Sequence, residues 1–255
     1  GFPFSILFLA AVIAVTREVP AAPPATFWLW LVMGTMTQII ATGMMLAGVN
    51  ERSLGVTTGY SKTEPIQAAL FGFIFLADHL TLAKMAAIVV ATAGVVITAI
   101  RPGGEKGFGN FRPTALGLAA AAGFALSAVG YRGAILHVTG VSFVTAASFT
   151  LVLGLMLQTM VLSAYLLLRD RKTLLALFRM WRPSLLAGFL GAGASQFWFL
   201  AFAITSVANV RTLALVEVLF AQAIAYYSMK QRISAREAIG IGLIVIGVGA
   251  LVAVQ

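Results

Sequence analysis

Apolar side chains run along this chain in blocks about as long as a helix needs to cross hydrocarbon, roughly 20 residues. The blocks fall at 25–48, 55–77, 82–100, 113–136, 142–168, 183–205, 208–229 and 235–254, after a shorter apolar piece at 4–16. Breakers and charges separate them: REVPAAPP, NERS, DHLT, RPGGEKGFGNFR, RDRK and KQRISAR. None of the blocks alternates as a lipid-facing strand must, whereas a helix satisfies its own backbone inside a bilayer. The pattern predicts an all-α integral membrane protein. The opening block is unlike a signal peptide, because no basic region precedes it and Arg17 follows it.

Composition strengthens that picture: 60% hydrophobic residues, 10% charged and a mean hydropathy of +0.99 exceed what an aqueous core can use. Without cysteine there is no disulfide or thiolate chemistry. A net charge of +9 would suggest nucleic acid in a soluble protein, but here its placement comes first. Twelve cations (Arg52, Arg101, Lys106, Arg112, Arg169, Arg171, Lys172, Arg179, Arg182, Lys230, Arg232 and Arg236) fall in connections or helix ends on one side. Arg17, Lys84 and Arg132 fall on the other. By the positive-inside tendency the rich side is cytoplasmic, which leaves the C-terminus outside.

A repeat organises the blocks. At an offset of 153, Gly59–Ile97 aligns without gaps to Thr212–Ala250, so that Glu64 meets Glu217, Thr81 meets Ser234 and Gly94 meets Gly247. Extended backward, the offset places Gly1 opposite Gly154, inside the 142–168 block. The first repeat is therefore expected to lack one helix and part of the next. The whole would be a ten-helix transporter of two inverted five-helix repeats, here 1–105 and 113–255, joined by the Gly-rich, charged linker 101–112.

SLGVTTGYSKTEPIQAALFGFIFLADHLTLAKMAAIVVATAGVVI and SVANVRTLALVEVLFAQAIAYYSMKQRISAREAIGIGLIVIGVGALV each pair a carboxylate-bearing helix, a short polar turn and a Gly-rich helix. In this the chain resembles the drug/metabolite transporter superfamily, specifically bacterial EamA-type permeases. Glu64 and Pro65 match the family's glutamate and proline; Glu217 matches the second glutamate, with Val218 in place of proline. The turns ADHLT and KQRIS depart from the commoner Gly-Glu-Arg type. The resemblance implies a multi-pass inner-membrane exporter or permease with a central cavity between repeats, moving amino acids, other metabolites, drugs or nucleotide sugars. It also implies cytoplasmic termini, against the charge count.

The embedded ionisable groups mark the candidate site, since a charge inside a bilayer is costly unless it meets protein, water or a partner. Glu64 and Glu217 fall near the middles of their blocks. Either they serve substrate or proton, or they are hydrogen-bonded carboxylates that specify packing. On a continuous helix Tyr60, Glu64 and Gln67 share a face, while Lys62 lies about 200° from Glu64 and either faces the cavity or snorkels to the interface. Arg211, near the start of its block, pairs with a carboxylate or substrate, or anchors at headgroups. Trp198, in QFWFL, is a candidate wall for an amine or amino acid beside Tyr60 and Glu217, against plain aromatic packing. Trp28 and Trp30 read as interfacial anchors. Pro65 is a candidate bend. Gly94 and Gly247 are candidate packing or gating positions on the last helices of the two repeats.

RDRKTLLALFRMWRP reads as a basic, partly amphipathic connection, either interfacial or solvated. His79 and His137 are isolated, and no metal, phosphate-loop, nucleophile-elbow or dinucleotide motif appears, so neither a cofactor nor an enzymatic activity is expected. The expected function is secondary transport or export of a small-molecule substrate, amino acids foremost and hydrophobic or aromatic ones in particular, with proton coupling a candidate. Drugs, amines or nucleotide sugars are the alternative cargo. A non-transporting receptor or scaffold, or a membrane enzyme, is the alternative class. The lipid bilayer is the expected partner, nucleic acid is not, and oligomeric state stays open with a monomer compatible.

Overall fold

The structure is a computed structural model that describes residues 1–50, 60–99, 111–229 and 234–254. Most of the expected linker 101–112, the turn KQRIS up to Ile233, Arg52, and the start of the 55–77 block lie outside the described residues, as does the side chain of Tyr226. Eleven α-helices form among the described residues: α1 Phe2–Thr16, α2 Ala25–Asn50, α3 Glu64–Leu76, α4 Leu82–Ala99, α5 Phe111–Leu136, α6 Phe143–Arg169, α7 Arg171–Arg179, α8 Trp181–Ile204, α9 Val207–Leu213, α10 Glu217–Met229 and α11 Ala235–Ala253. A 3₁₀ turn, Ala214–Val216, joins α9 to α10. Six stretches are long and apolar enough to span a bilayer, and Phe2–Thr16, Glu64–Leu76 and Leu82–Thr98 are shorter apolar helices. The chain is an all-α multi-pass membrane protein.

Local chemistry sets the helix ends. Ser142, Ser206 and Ser234 accept from backbone N–H groups at the starts of α6, α9 and α11, and Glu237 completes a capping box on α11. Arg17 and Ala77 take left-handed backbone where α1 and α3 stop. The ends repeat at the offset of 153: α1 stops at Thr16 and α6 at Arg169, α3 and α10 run Glu64–Leu76 and Glu217–Met229, and α4 and α11 begin at Leu82 and Ala235.

The chain forms two compact units, each built from two separate stretches of the sequence: Gly1–Met36 with Gly130–Thr205, and Thr37–Val129 with Ser206–Gln255. In the first, Phe27, Leu31, Leu151 and Phe202 are fully buried. There α1 packs antiparallel on α6, with Gly1 near Leu155 at one end and Thr16 Oγ1 3.4 Å from Thr145 Oγ1 at the other. The second unit centres on α4 and α11, whose buried Ile88, Val95, Ile244 and Leu251 make its core.

Gly94 and Gly247 are where α4 and α11 touch backbone to backbone. A methyl group at Gly94 would lie 2.6 Å from the Gly240 carbonyl oxygen, and one at Gly247 2.4 Å from the Ala91 nitrogen. Only glycine lets two helices approach so closely, which supplies van der Waals contact where lipid provides no hydrophobic drive. Since Gly94 meets Gly240 while Ala91 meets Gly247, these helices also run antiparallel.

Candidate functional site

Two blocks that read as continuous helices are broken beside their carboxylates. The helical turn holding Tyr60 and Ser61 ends in a turn at Lys62–Thr63, and α3 starts afresh at Glu64. Pro65 explains the restart. It has no N–H to bond backward and its fixed φ suits a first helical turn, so it opens α3. The second break is made without proline, by the Ala214–Val216 turn, and α10 starts at Glu217. Glu64 and Glu217 thus open α3 and α10, with the Glu217 N–H bonded back into the 3₁₀ turn.

The breaks bring the ionised groups together within the second unit. Arg211, in the last turn of α9, places Nε 2.9 Å from Glu64 Oε1, with both side chains under a fifth exposed. Charge holds this contact, because Nε and Oε1 do not align as a hydrogen bond. Lys62 Nζ donates to Glu217 Oε1, and this pair is wetter, at 29% and 58% exposed. The pairing is crossed: Glu64 takes its cation from the chain just before Glu217, and Glu217 takes its cation from the chain just before Glu64.

Gln67 stays three residues beyond Glu64 on α3, while the turn at Lys62–Thr63 falls between them and Tyr60. Its Nε2 donates to Thr63 Oγ1 at 3.2 Å and to the Leu118 carbonyl at 3.5 Å, while Thr63 Oγ1 donates to the Tyr60 carbonyl at 2.7 Å. Lys62, Glu64, Arg211 and Glu217 are therefore brought together, with Tyr60 and Gln67 alongside through Thr63. Trp198 belongs to the first unit, where its ring packs 5.8 Å from that of Phe202. Gly94 and Gly247 hold the α4–α11 contact.

Three polar arrangements in the first unit escape a reading of spacing. Glu18 accepts from Ser142 N at 2.8 Å, Ser142 Oγ at 2.6 Å and Thr145 Oγ1 at 2.7 Å, fastening the REVPAAPP segment to the start of α6. These bonds hold its carboxyl below the usual range. Arg132 Nη1 donates to the carbonyls of Phe202, at 2.6 Å, and Thr205, neutralising the C-terminal end of α8. Gln158 and Gln196 donate at 2.7 Å to Tyr131 Oη and Ser148 Oγ. The signal in sequence was only that Glu18, Gln158 and Gln196 are polar exceptions, with no spacing to name their partners. No group of three or more His, Asp or Glu that could hold a metal occurs among the described residues.

Spanning apolar helices, interrupted where paired charges meet, define a multi-pass membrane protein. The chain belongs to the EamA-like transporter family, whose model matches residues 1–100 and 113–253. Its fold is similar to that of a solved crystal structure at a TM-score of 0.68 and 16% identity, covering 100% of this chain and 86% of the other. No curated protein matches it. It is accordingly a transporter of small molecules across a membrane, of the drug/metabolite transporter fold.

Proposed function

We propose that the protein is a secondary transporter of zwitterionic metabolites, foremost hydrophobic or aromatic amino acids, working by alternating access in a bacterial cytoplasmic membrane. The observation that carries this reading is the crossed quartet of Lys62, Glu64, Arg211 and Glu217. Two cations and two carboxylates carry no net charge together. A substrate with one ammonium and one carboxylate can replace one partner of each sign without leaving an ion bare in a poorly hydrated place. A singly charged substrate would leave one group uncompensated. A proton delivered to Glu64 or Glu217 also releases a cation, which makes either carboxylate the candidate coupling group. Tyr60 and Gln67 add neutral hydrogen-bonding capacity beside the quartet.

The two-repeat reading, 1–105 and 113–255, is supported by the direction of equivalent helices. α1 and α6, and α4 and α11, have termini at the 153 offset, and each pair runs antiparallel, as inverted repeats require.

Counterflow of labelled amino acids and small amines into liposomes tests the proposal. Saturable counterflow of an amino acid, abolished by Glu64→Gln, is the expected result; movement of amines alone would overturn the zwitterion reading. Unchanged pH-gradient-driven uptake in the Glu64→Gln/Glu217→Gln protein would remove proton coupling through these carboxylates.

A further inference from the structure

We propose that α7 lies in the membrane interface and binds the headgroups of anionic phospholipids. Nine residues long, it is joined to α6 by Asp170 alone and to α8 by Met180 alone. Its neighbours run 27 and 24 residues and include two of the spanning stretches, so α7 begins just past the one that ends at Arg169 and stops shortly before the one that begins at Ser184. The segment 169–182 holds five basic residues and one acid.

The acid is already engaged. Asp170 Oδ1 accepts from Thr173 N at 3.1 Å and Oδ2 from Thr173 Oγ1 at 2.6 Å, capping α7. Arg171 Nε donates to the Leu167 carbonyl at 3.0 Å and so serves the end of α6. At about 100° per residue, Leu174 and Leu177 fall on one side of the helix, while Lys172 and Arg179 fall on the other with Leu175 among them. Leu177 is 51% exposed. A purely solvated connection has no use for an uncovered leucine face. Leucines on one side and cations on the other suit a helix half-sunk among headgroups, and the sign of the charge selects anionic ones. The segment 153 residues earlier, Arg17–Pro24, forms no helix, so the equivalent connection in the first repeat lacks the device.

The test needs no transport, so it stands or falls apart from the quartet. Because the chain has no cysteine, Leu177→Cys carries a single environment-sensitive dye in full-length protein, placed in nanodiscs of phosphatidylcholine with or without phosphatidylglycerol. Quenching by brominated acyl chains and protection from iodide are expected. Retention of phosphatidylglycerol is expected to fall roughly fivefold for each charge removed in Lys172→Gln and Arg179→Gln, and to return in Lys172→Arg. Free iodide quenching without quenching by brominated lipid would overturn the interfacial placement. Lipid quenching with unchanged phosphatidylglycerol retention in the double Gln variant would overturn headgroup binding.

Discussion

Arg211 lies with Nε 2.9 Å from Oε1 of Glu64, and neither side chain is more than a fifth exposed. Their partnership converts two ions that would each be expensive in an apolar helix bundle into one contact whose charge largely cancels. Glu64→Gln and Arg211→Gln each strand the other partner and are expected to destabilise by on the order of 3 kcal/mol. The double variant is expected to recover most of that loss. A double-mutant cycle of thermal unfolding in detergent measures the coupling; additive losses would show that the two groups do not depend on each other.

Glu217 and Lys62 are expected to behave differently, because the carboxylate is more than half exposed. Their coupling to stability is expected to fall below about 1 kcal/mol and to shrink further with salt. The same cycle run at low and high ionic strength checks this. Transport by Glu217→Gln is nonetheless expected to fall well out of proportion to the small change in melting temperature.

The α4–α11 contact is backbone against backbone and has no flexible side chain to give way. Gly247→Ala and Gly94→Ala are expected to cost about 1–3 kcal/mol through overpacking. Gly242 and Gly249 lie on the same helix with nothing within 4 Å of an added methyl. Alanine there is expected to be neutral or to stabilise by up to about 1 kcal/mol. Melting temperatures of the four variants separate close contact from generic helix propensity.

Pro65→Ala restores a backbone N–H at the opening of α3 and lets the helix run back through Thr63 and Lys62. Turnover in liposomes is expected to drop several-fold with expression little changed. Equal turnover at equal expression would remove Pro65 from the transport cycle.

Glu18 carries a pH signature. Its carboxyl is held below the ordinary value by Ser142 and Thr145, so its stabilising contribution is complete above the ordinary carboxylate range and is lost as pH falls through the lowered value. Melts between pH 7 and pH 3 are expected to show a downward step at the acid end, diminished in Glu18→Gln. Superimposable curves for the two proteins would mean that the Ser142 contact does not depend on ionisation.

Most of the architecture could be read from hydropathy, because spanning length and the 153-residue offset are both properties of long stretches. The breaks could not. A two-residue turn at Lys62–Thr63 and a three-residue 3₁₀ segment before Glu217 barely alter a hydropathy average, so 55–77 and 208–229 look like smooth helices. With continuous helices assumed, Lys62 was left between the cavity and the interface, and Tyr60 was set on one unbroken face with Glu64. The residues of the quartet were all visible as polar exceptions. Their partners were not, since Lys62 and Glu217 are separated by 155 residues and no local spacing encodes that meeting. Pro65 was legible as a conformational signal, but its place in the first turn of a new helix depended on where that helix began.

The crossed pairing also sets a clock on synthesis. Lys62 leaves the ribosome 155 residues ahead of Glu217, a delay of roughly 10–30 s at ordinary elongation rates. Through that interval Glu64 waits as well, because Arg211 is made only six residues before Glu217. The nascent chain must therefore shelter both early charges with water, lipid headgroups or the insertion machinery until α9 and α10 supply Arg211 and Glu217.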